Sequence, residues 1–263
     1  IDINRFFQNE NPEDTILDLI KISEPNKSKE TIFIFPEGVF SQIYLQDLKK
    51  YNYLFSENFS DKHKVILGIS SFEDSKVFNS LVVVDHNTNI LSKYDKNKLV
   101  PFGEFLPFEN FFINLGLKKV TQGYISFTPG DKRNIINLEN FNFIPLICFE
   151  IIYSGNINKL YNQDYDYIVN ISEDGWFGDS VGPHQHFSHS IFRSIEEGKN
   201  VIRSANNGIS ALINSKGQII NKIISTKKGF IEIESFKQVK KTHFSSHGNK
   251  IFFYFLIFYI SLI

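Results

Sequence analysis

Apolar positions along this chain fall into two patterns. Short runs with little or no polar interruption, "TIFIF" at 31–35, "KVILGIS" at 64–70, "SLVVVD" at 80–85, "FIPLIC" at 143–148, "DYIVNIS" at 166–172, "NVIRSA" at 200–205, "ISALIN" at 209–214 and "FIEIES" at 230–235, read as β-strands. Several lack a polar face, which suits strands covered on both sides. Between them lie helical candidates at 11–22, 41–51, from Glu150 to about Leu160, and 184–200. "DHNTN" at 85–89 and "NSKG" at 214–217 read as hairpin turns, so the sheets are mixed. Strands alternating with helices predict an α/β fold with helix-covered sheets, in which chemistry gathers at the carboxyl ends of strands.

No repeat or low-complexity linker divides residues 1–236, so these are expected to form one domain. The polar connector "KQVKKTHFSSHGNK" at 237–250 and an apolar tail at 251–263 follow. The tail carries no charge and is shorter than the roughly 20 residues that span a bilayer. It is expected to be the start of a truncated C-terminal transmembrane helix, the competing reading being a buried terminal element. The chain lacks methionine, from which we expect that residues upstream, including any N-terminal transmembrane region, are absent. Composition narrows the partners: 28 basic against 29 acidic residues leave a net charge of -1, so no field favours nucleic acid. A lone cysteine excludes an internal disulfide and leaves Cys148 as packed core or reactive thiol.

Three polar residues fall at or just beyond strand ends: Glu37 after "TIFIFP", Lys96 in "YDKNK", and Cys148 closing "FIPLIC". They supply a base, a cation and a nucleophile. A thiolate attacks carbonyls, a carboxylate takes its proton, and an ammonium stabilises first the thiolate and then the oxyanion. Taken singly, each has an ordinary structural explanation.

Together, and in this order, "FPEG", "YDKNKLVPFGEFLP" and "ICFE" resemble the glutamate, lysine and cysteine motifs of the nitrilase superfamily. The strings "LVPFGEFLPFE", "SEDGWFGDSVGPHQHF" and "RSANNGISALIN" resemble its apolipoprotein N-acyltransferase branch, and the resemblance spans residues 1–236. It implies a four-layer αββα sandwich with Glu37 as general base, Lys96 as oxyanion-stabilising cation and Cys148 as nucleophile. The Phe149 N–H would join the oxyanion hole, and Glu104 and Glu150 would be supporting carboxylates. It further implies no cofactor and no metal. The acyl donor would be a phospholipid and the acceptor the N-terminal amine of a diacylglyceryl apolipoprotein, on the periplasmic side of a bacterial inner membrane. The chain departs from the family pattern at Lys98, Phe149 and Phe35, where His, Tyr and Trp are usual, and at Glu173, where Asn is more frequent. Lys96 follows "YD" in register, with Lys98 as the fallback. The alternatives are a soluble nitrilase-like amidase with water as acceptor, and a catalytically silent lipid- or protein-binding module in which Cys148 is only packed.

Other residues carry weaker signals. His184, His186 and His189 have metal-like spacing but no companion acid or cysteine ligand, so packing or surface roles are expected. Trp176 and Phe177, flanked by Gly175 and Gly178, are candidate lipid contacts or simple caps on the core. "FLPFENFFINLGLKKV" at 105–120 reads equally as a lid touching a bilayer or as a helix packed on the core.

Overall fold

The computed structural model describes residues 11–105, 126–155, 157, 165–234 and 241–262. Two sheets stack face to face. The first has strands β1 (Thr31–Ile34), β2 (Phe40–Tyr44), β3 (His63–Glu73), β4 (Lys76–Asp85) and β5 (Ile90–Asp95), in the order β1-β3-β4-β5 with β2 also paired to β3. Strands β1 and β2 run parallel to β3, while the β3-β4-β5 meander is antiparallel. The second sheet holds β6 (Ile136–Leu138), β7 (Phe141–Ile147), β8 (Tyr167–Glu173), β9 (Asn200–Asn206), β10 (Ser210–Ile213) and β11 (Ile219–Ile223), side by side in reverse sequence order. Its central β7, β8 and β9 are parallel and its flanks antiparallel.

The unbroken apolar runs are explained by what covers each face. In β3 and β4, Val65 pairs with Val84 and Leu67 with Val82. These four pack under α1 (Pro12–Ser23) and α2 (Asn52–Asn58), against Ile16, Ile20, Phe55 and Phe59. The alternate residues Ile66, Leu81 and Val83 point the other way, against Phe143, Ile147, Val169 and Ile171 of the second sheet. The outer face of that sheet, with Ile144, Leu146, Ile168 and Val201, is covered by Phe187 of α3 (Gly182–Glu197). Period-two alternation thus divides each strand between two cores. The result is the expected αββα sandwich with mixed sheets.

Local chemistry sets the boundaries. The Asn11 side chain accepts from the Glu13 N–H and Pro12 opens α1, with Glu13 and Asp14 in the first turn and Lys21 in the last, matching the helix dipole. Both expected hairpins form, joining β4 to β5 and β10 to β11.

Three expectations need correction. The segment 41–51 is not one helix: Phe40–Tyr44 joins β3 as a parallel strand, and only 45–51 coils, as a 3-10 turn. Leu45 and Leu48 are buried by that turn while Phe40 and Ile43 are buried from the strand, so tertiary burial overrides a helix-like spacing. "FIEIES" forms no strand over 230–234: among the described residues β11 pairs only with β10, no further strand lies beside it, and Phe230 is exposed. Around Glu150 the chain makes a 3-10 turn, Cys148–Ile152; beyond it residues 153–155 are not helical, and 156 and 158–160 lie outside the described residues. The proposed lid at 105–120 also lies outside them, apart from Phe105.

The polar connector enters a short helix, α4 (His243–His247), and the apolar tail continues as α5 (Lys250–Ser261), whose apolar side chains from Phe252 to Ile260 are exposed. Among the described residues no helix is long and apolar enough to cross a membrane.

Candidate active site

The carboxyl ends of β1, β5, β7 and β8 meet at one end of the sandwich. β1 delivers Glu37 past Phe35, whose N–H still bonds Ile66 O of β3 at 2.8 Å. Gly38 turns the chain with φ of 81°, and a side chain there would meet Glu173 Oε2 at 2.9 Å. β5 delivers Lys96, whose N–H bonds Asn79 O at 2.8 Å and whose carbonyl accepts from Gly130 N at 2.9 Å. β7 ends at Cys148, held at a left-handed φ of 49°. For a residue with a Cβ that conformation costs on the order of 1 kcal/mol, so its surroundings must hold it.

Glu37 and Lys96, far apart in sequence, meet directly, and Cys148 lies within electrostatic reach of both, its Sγ 3.9 Å from Glu173 O. Lys96 is 1% exposed. Its Nζ lies 2.9 Å from Glu104 Oε1 and 3.8 Å from Glu37 Oε1. Asn79 Nδ2 bridges the two carboxylates, donating to Glu37 Oε1 at 2.7 Å and to Glu104 Oε1 at 2.9 Å. The Glu173 N–H donates to Glu37 Oε2 at 2.9 Å, so both oxygens of Glu37 are oriented. The second oxygen of Glu104 accepts from Val100 N at 2.9 Å, folding the "LVPFGE" loop back on itself.

The electrostatics follow from burial and these neighbours. Burial alone would depress the Lys96 pKa, but Glu37 and Glu104 outweigh it and hold the ammonium charged. Burial pushes Glu37 above the ordinary carboxylate value, opposed by Lys96 and assisted by Glu104. Burial and then Glu37 push the Cys148 thiol well up, while Lys96 favours the thiolate. For attack, the thiol must give up its proton to a neighbouring base.

Glu150, fully buried, ties the lysine loop to the cysteine loop. Its Oε1 accepts from Tyr94 Oη at 2.6 Å, from Asn97 N and Lys98 N at 3.1 Å each, and pairs with Arg133 Nη2 at 3.1 Å. Its Oε2 accepts from Ile147 N at 3.0 Å. Lys98 itself is exposed, and only its amide reaches this network, so Lys96 is the lysine that the fold places beside Glu37. Phe149 follows Cys148 in the 3-10 turn with its ring edge-on to Tyr153. Trp176 is exposed in the turn Gly175–Phe177, and Phe177 packs on the ring of His186.

Sequence reasoning missed part of this cluster. Asn79 is a buried polar residue within β4. Glu173 is 2% exposed; burial raises it to about 7 against donors from Asn207, Gly175 and Asn206. His186, expected to pack or lie at the surface, is buried with its ring nitrogens facing Asp174 and the Cys148 carbonyl. Arg203, inside β9, pairs with Asp174 at 2.8 Å, both side chains fully buried. The available signal was a charged or amide residue inside an apolar strand run, as in "VFNSLVVVD" and "NVIRSA". Among the described residues no cluster of His, Cys, Asp or Glu is arranged to hold a metal ion. A groove of about 1710 Å³ between α1, β1 and residues 223–234 is lined by Gly38 and Glu173 but by neither Lys96 nor Cys148.

Residues 57–234 match the family model for carbon-nitrogen hydrolases. The chain belongs to the carbon-nitrogen hydrolase family. Curated relatives within it include the apolipoprotein N-acyltransferase of Wigglesworthia glossinidia brevipalpis, 34% identical over 252 residues that cover 92% of this chain and 50% of that protein. The apolipoprotein N-acyltransferase of Rickettsia prowazekii is 38% identical over 192 residues, 70% of this chain and 38% of that protein. The chain thus spans half or less of the length of these relatives. Among solved structures, the carbon-nitrogen hydrolase of Helicobacter pylori superposes with a TM-score of 0.59 at 14% identity, covering 82% of each chain. The glutamine-dependent NAD+ synthetase of Acinetobacter baumannii superposes at 0.60 and 18% identity, over 88% of this chain and 46% of that one. Both likenesses support the carbon-nitrogen hydrolase sandwich.

Proposed function

We propose that this chain is the catalytic domain of an apolipoprotein N-acyltransferase, with Cys148 as nucleophile, Glu37 as general base and Lys96 as the oxyanion-stabilising cation. The observation that carries the reading is that buried Glu37 and Lys96 are oriented by their polar partners within electrostatic reach of half-buried Cys148. Its relatives at 34% and 38% identity supply the substrate class.

Two half-reactions follow. Glu37 takes the thiol proton as sulfur attacks the ester carbonyl of a phospholipid, and Lys96, with the Phe149 N–H, stabilises the oxyanion. Collapse breaks the C–O bond; the lysophospholipid oxygen leaves with the proton from Glu37, and an acyl thioester remains on Cys148. The α-amine of a diacylglyceryl-cysteine then attacks the thioester, Glu37 again accepts the proton, and the C–S bond breaks to return it to sulfur. A thioester reacts with amines faster than an oxygen ester does, so the covalent route divides one difficult transfer into two easier ones. Glu104 and Glu150 serve by fixing Lys96 and its loop.

The domain would work at a bilayer, on the periplasmic side of an inner membrane. Support comes from α5, an apolar helix with no buried face, and from exposed Trp176 beside the cluster, with Phe177 packed behind it. In this reading residues 1–236 hold the catalytic domain, 237–250 connect it, and 251–263 begin a membrane helix. The test is intact-mass analysis of the full-length, membrane-anchored protein incubated with phospholipid. A hydroxylamine-sensitive acyl adduct is expected on wild type, lost in Cys148→Ala, Glu37→Gln and Lys96→Ala, and discharged by a lipopeptide amine. Folded wild-type protein that forms no adduct would refute the reading.

A further inference from the structure

Directly behind the nucleophile turn lies a buried charged cluster that the acyl-transfer scheme does not use. Asp174, at the end of β8, accepts from Ser172 Oγ at 2.7 Å and from Arg203 Nη2 at 2.8 Å, and its Oδ1 lies 2.8 Å from His186 Nδ1. Arg203 is anchored in turn by Ile209 O at 3.2 Å and by the Asn170 side chain. On the other side of the imidazole, His186 Nε2 lies 3.2 Å from the backbone carbonyl of Cys148. A carbonyl only accepts, so Nε2 carries the proton and donates to it, while Nδ1 lies between the Asp174 carboxylate and the Arg203 Nη2 donor at 3.2 Å. The Phe177 ring packs against the imidazole, with centroids 5.4 Å apart, and limits its rotation.

We propose that His186, fixed by Asp174 and Arg203, is a positioning residue for the nucleophile: its Nε2–H holds the Cys148 carbonyl and with it the left-handed turn that aims the thiol at Glu37 and Lys96. The physical need is specific. Cys148 has a Cβ and a φ of 49°, a conformation from which the free chain relaxes. Glu150 fixes the turn through Ile147 N at its front edge, and His186 fixes it through the Cys148 carbonyl at its back. The two contacts bracket the sulfur-bearing residue. Asp174 and Arg203 pair with each other with both side chains fully buried, so they form a rigid base for the imidazole instead of competing for water.

This inference rests on Cys148 being the nucleophile, but its test does not require acyl transfer. In the full-length protein in phosphatidylethanolamine/phosphatidylglycerol vesicles, the rate of Cys148 alkylation by iodoacetamide is measured for wild type, His186→Gln and His186→Asn, together with melting temperature. The Gln amide nitrogen falls near the Nε2 position and keeps a donor for the Cys148 carbonyl. The Asn amide falls near Nδ1, keeps a donor for Asp174 and cannot reach the carbonyl. Alkylation of His186→Asn is expected to be slower by about tenfold or more, with His186→Gln near the wild-type rate, since small misplacements of a reacting group carry penalties of this order. Equal rates in all three proteins overturn the proposal. So does equal slowing of both variants in step with lost melting temperature, which marks a merely structural histidine. Acyl-adduct formation by wild type in the same vesicles is scored separately, so failure of the transferase reading is distinguishable from failure of this one.

Discussion

Replacing Glu150 by Gln changes one atom of shape and removes a charge on which two loops converge. Every partner of the carboxylate donates to it: Tyr94 Oη, Asn97 N, Lys98 N and Arg133 Nη2 at Oε1, and Ile147 N at Oε2. A glutamine must place its NH₂ against one of these sets. Oε2 has the single donor, so the lesser conflict sets the amide against Ile147 N–H and leaves that buried group without its acceptor, which costs about 1–3 kcal/mol. The Arg133 guanidinium, with its side chain 14% exposed, then faces a neutral group, and removing one member of a buried pair costs about 3–5 kcal/mol. The two effects share one network and do not add in full. A net loss of about 3–5 kcal/mol lowers the melting temperature by about 6–20 °C, at about 2–4 °C per kcal/mol for a chain near this length. Circular dichroism on the full-length wild type and Glu150→Gln measures that fall. Hydrogen exchange should also accelerate at the amides of Ile147, Asn97 and Lys98, which mark the two loops. A melting temperature within about 2 °C of wild type with unchanged exchange at those amides would refute the idea that this carboxylate couples them.

Gly68→Ala should impair acylation more than stability, because a Cβ there would lie 2.8 Å from Glu37 Cα and 2.9 Å from Ile171 Cδ1 and would push Glu37 off its partners; steady adduct-formation rates would contradict this. Lys98→Ala should leave the acylation rate within about twofold of wild type, since only its amide reaches Glu150 and surface substitutions are usually mild, whereas a loss as large as that of Lys96→Ala would reassign the cation. Glu173 sits at about 7 in the fold against an ordinary 4.5. The folded state therefore holds this proton more tightly than the unfolded chain, and the contribution is full below about pH 4.5 and lost as pH rises through 7. Glu173→Gln should flatten the fall in stability across that interval, by at most about 1.4 kcal/mol per pH unit, in denaturant titrations; parallel curves for the two proteins would exclude a Glu173 proton as the cause.

Much of the architecture was written in the order of residues. Runs such as "KVILGIS" and "SLVVVD" are apolar at successive positions because both faces of β3 and β4 are covered, and that alone separates a helix-covered sheet from a half-exposed one. The hairpin turns, the capped start of α1 and the polar residues at the ends of β1, β5 and β7 were equally local properties. Two of the misread segments, 41–51 and 230–234, are ones whose state depended on a distant partner: β2 formed because β3 offered it a parallel edge, and 230–234 stayed irregular where, among the described residues, no strand lay beside it.

By itself the sequence determined the fold class and placed a carboxylate, a lysine and a cysteine at or just beyond strand ends. What only the tertiary structure decided was how they are held. Asn79 bridging Glu37 and Glu104, Glu150 joining the lysine and cysteine loops, and the Arg203, Asp174 and His186 chain behind Cys148 all link residues that no sequence spacing relates. The physical reason is that a hydrogen bond in a buried site is set by where strands end in space. Sequence periodicity fixes which face a residue takes, whereas the partner it meets there depends on how the two sheets stack.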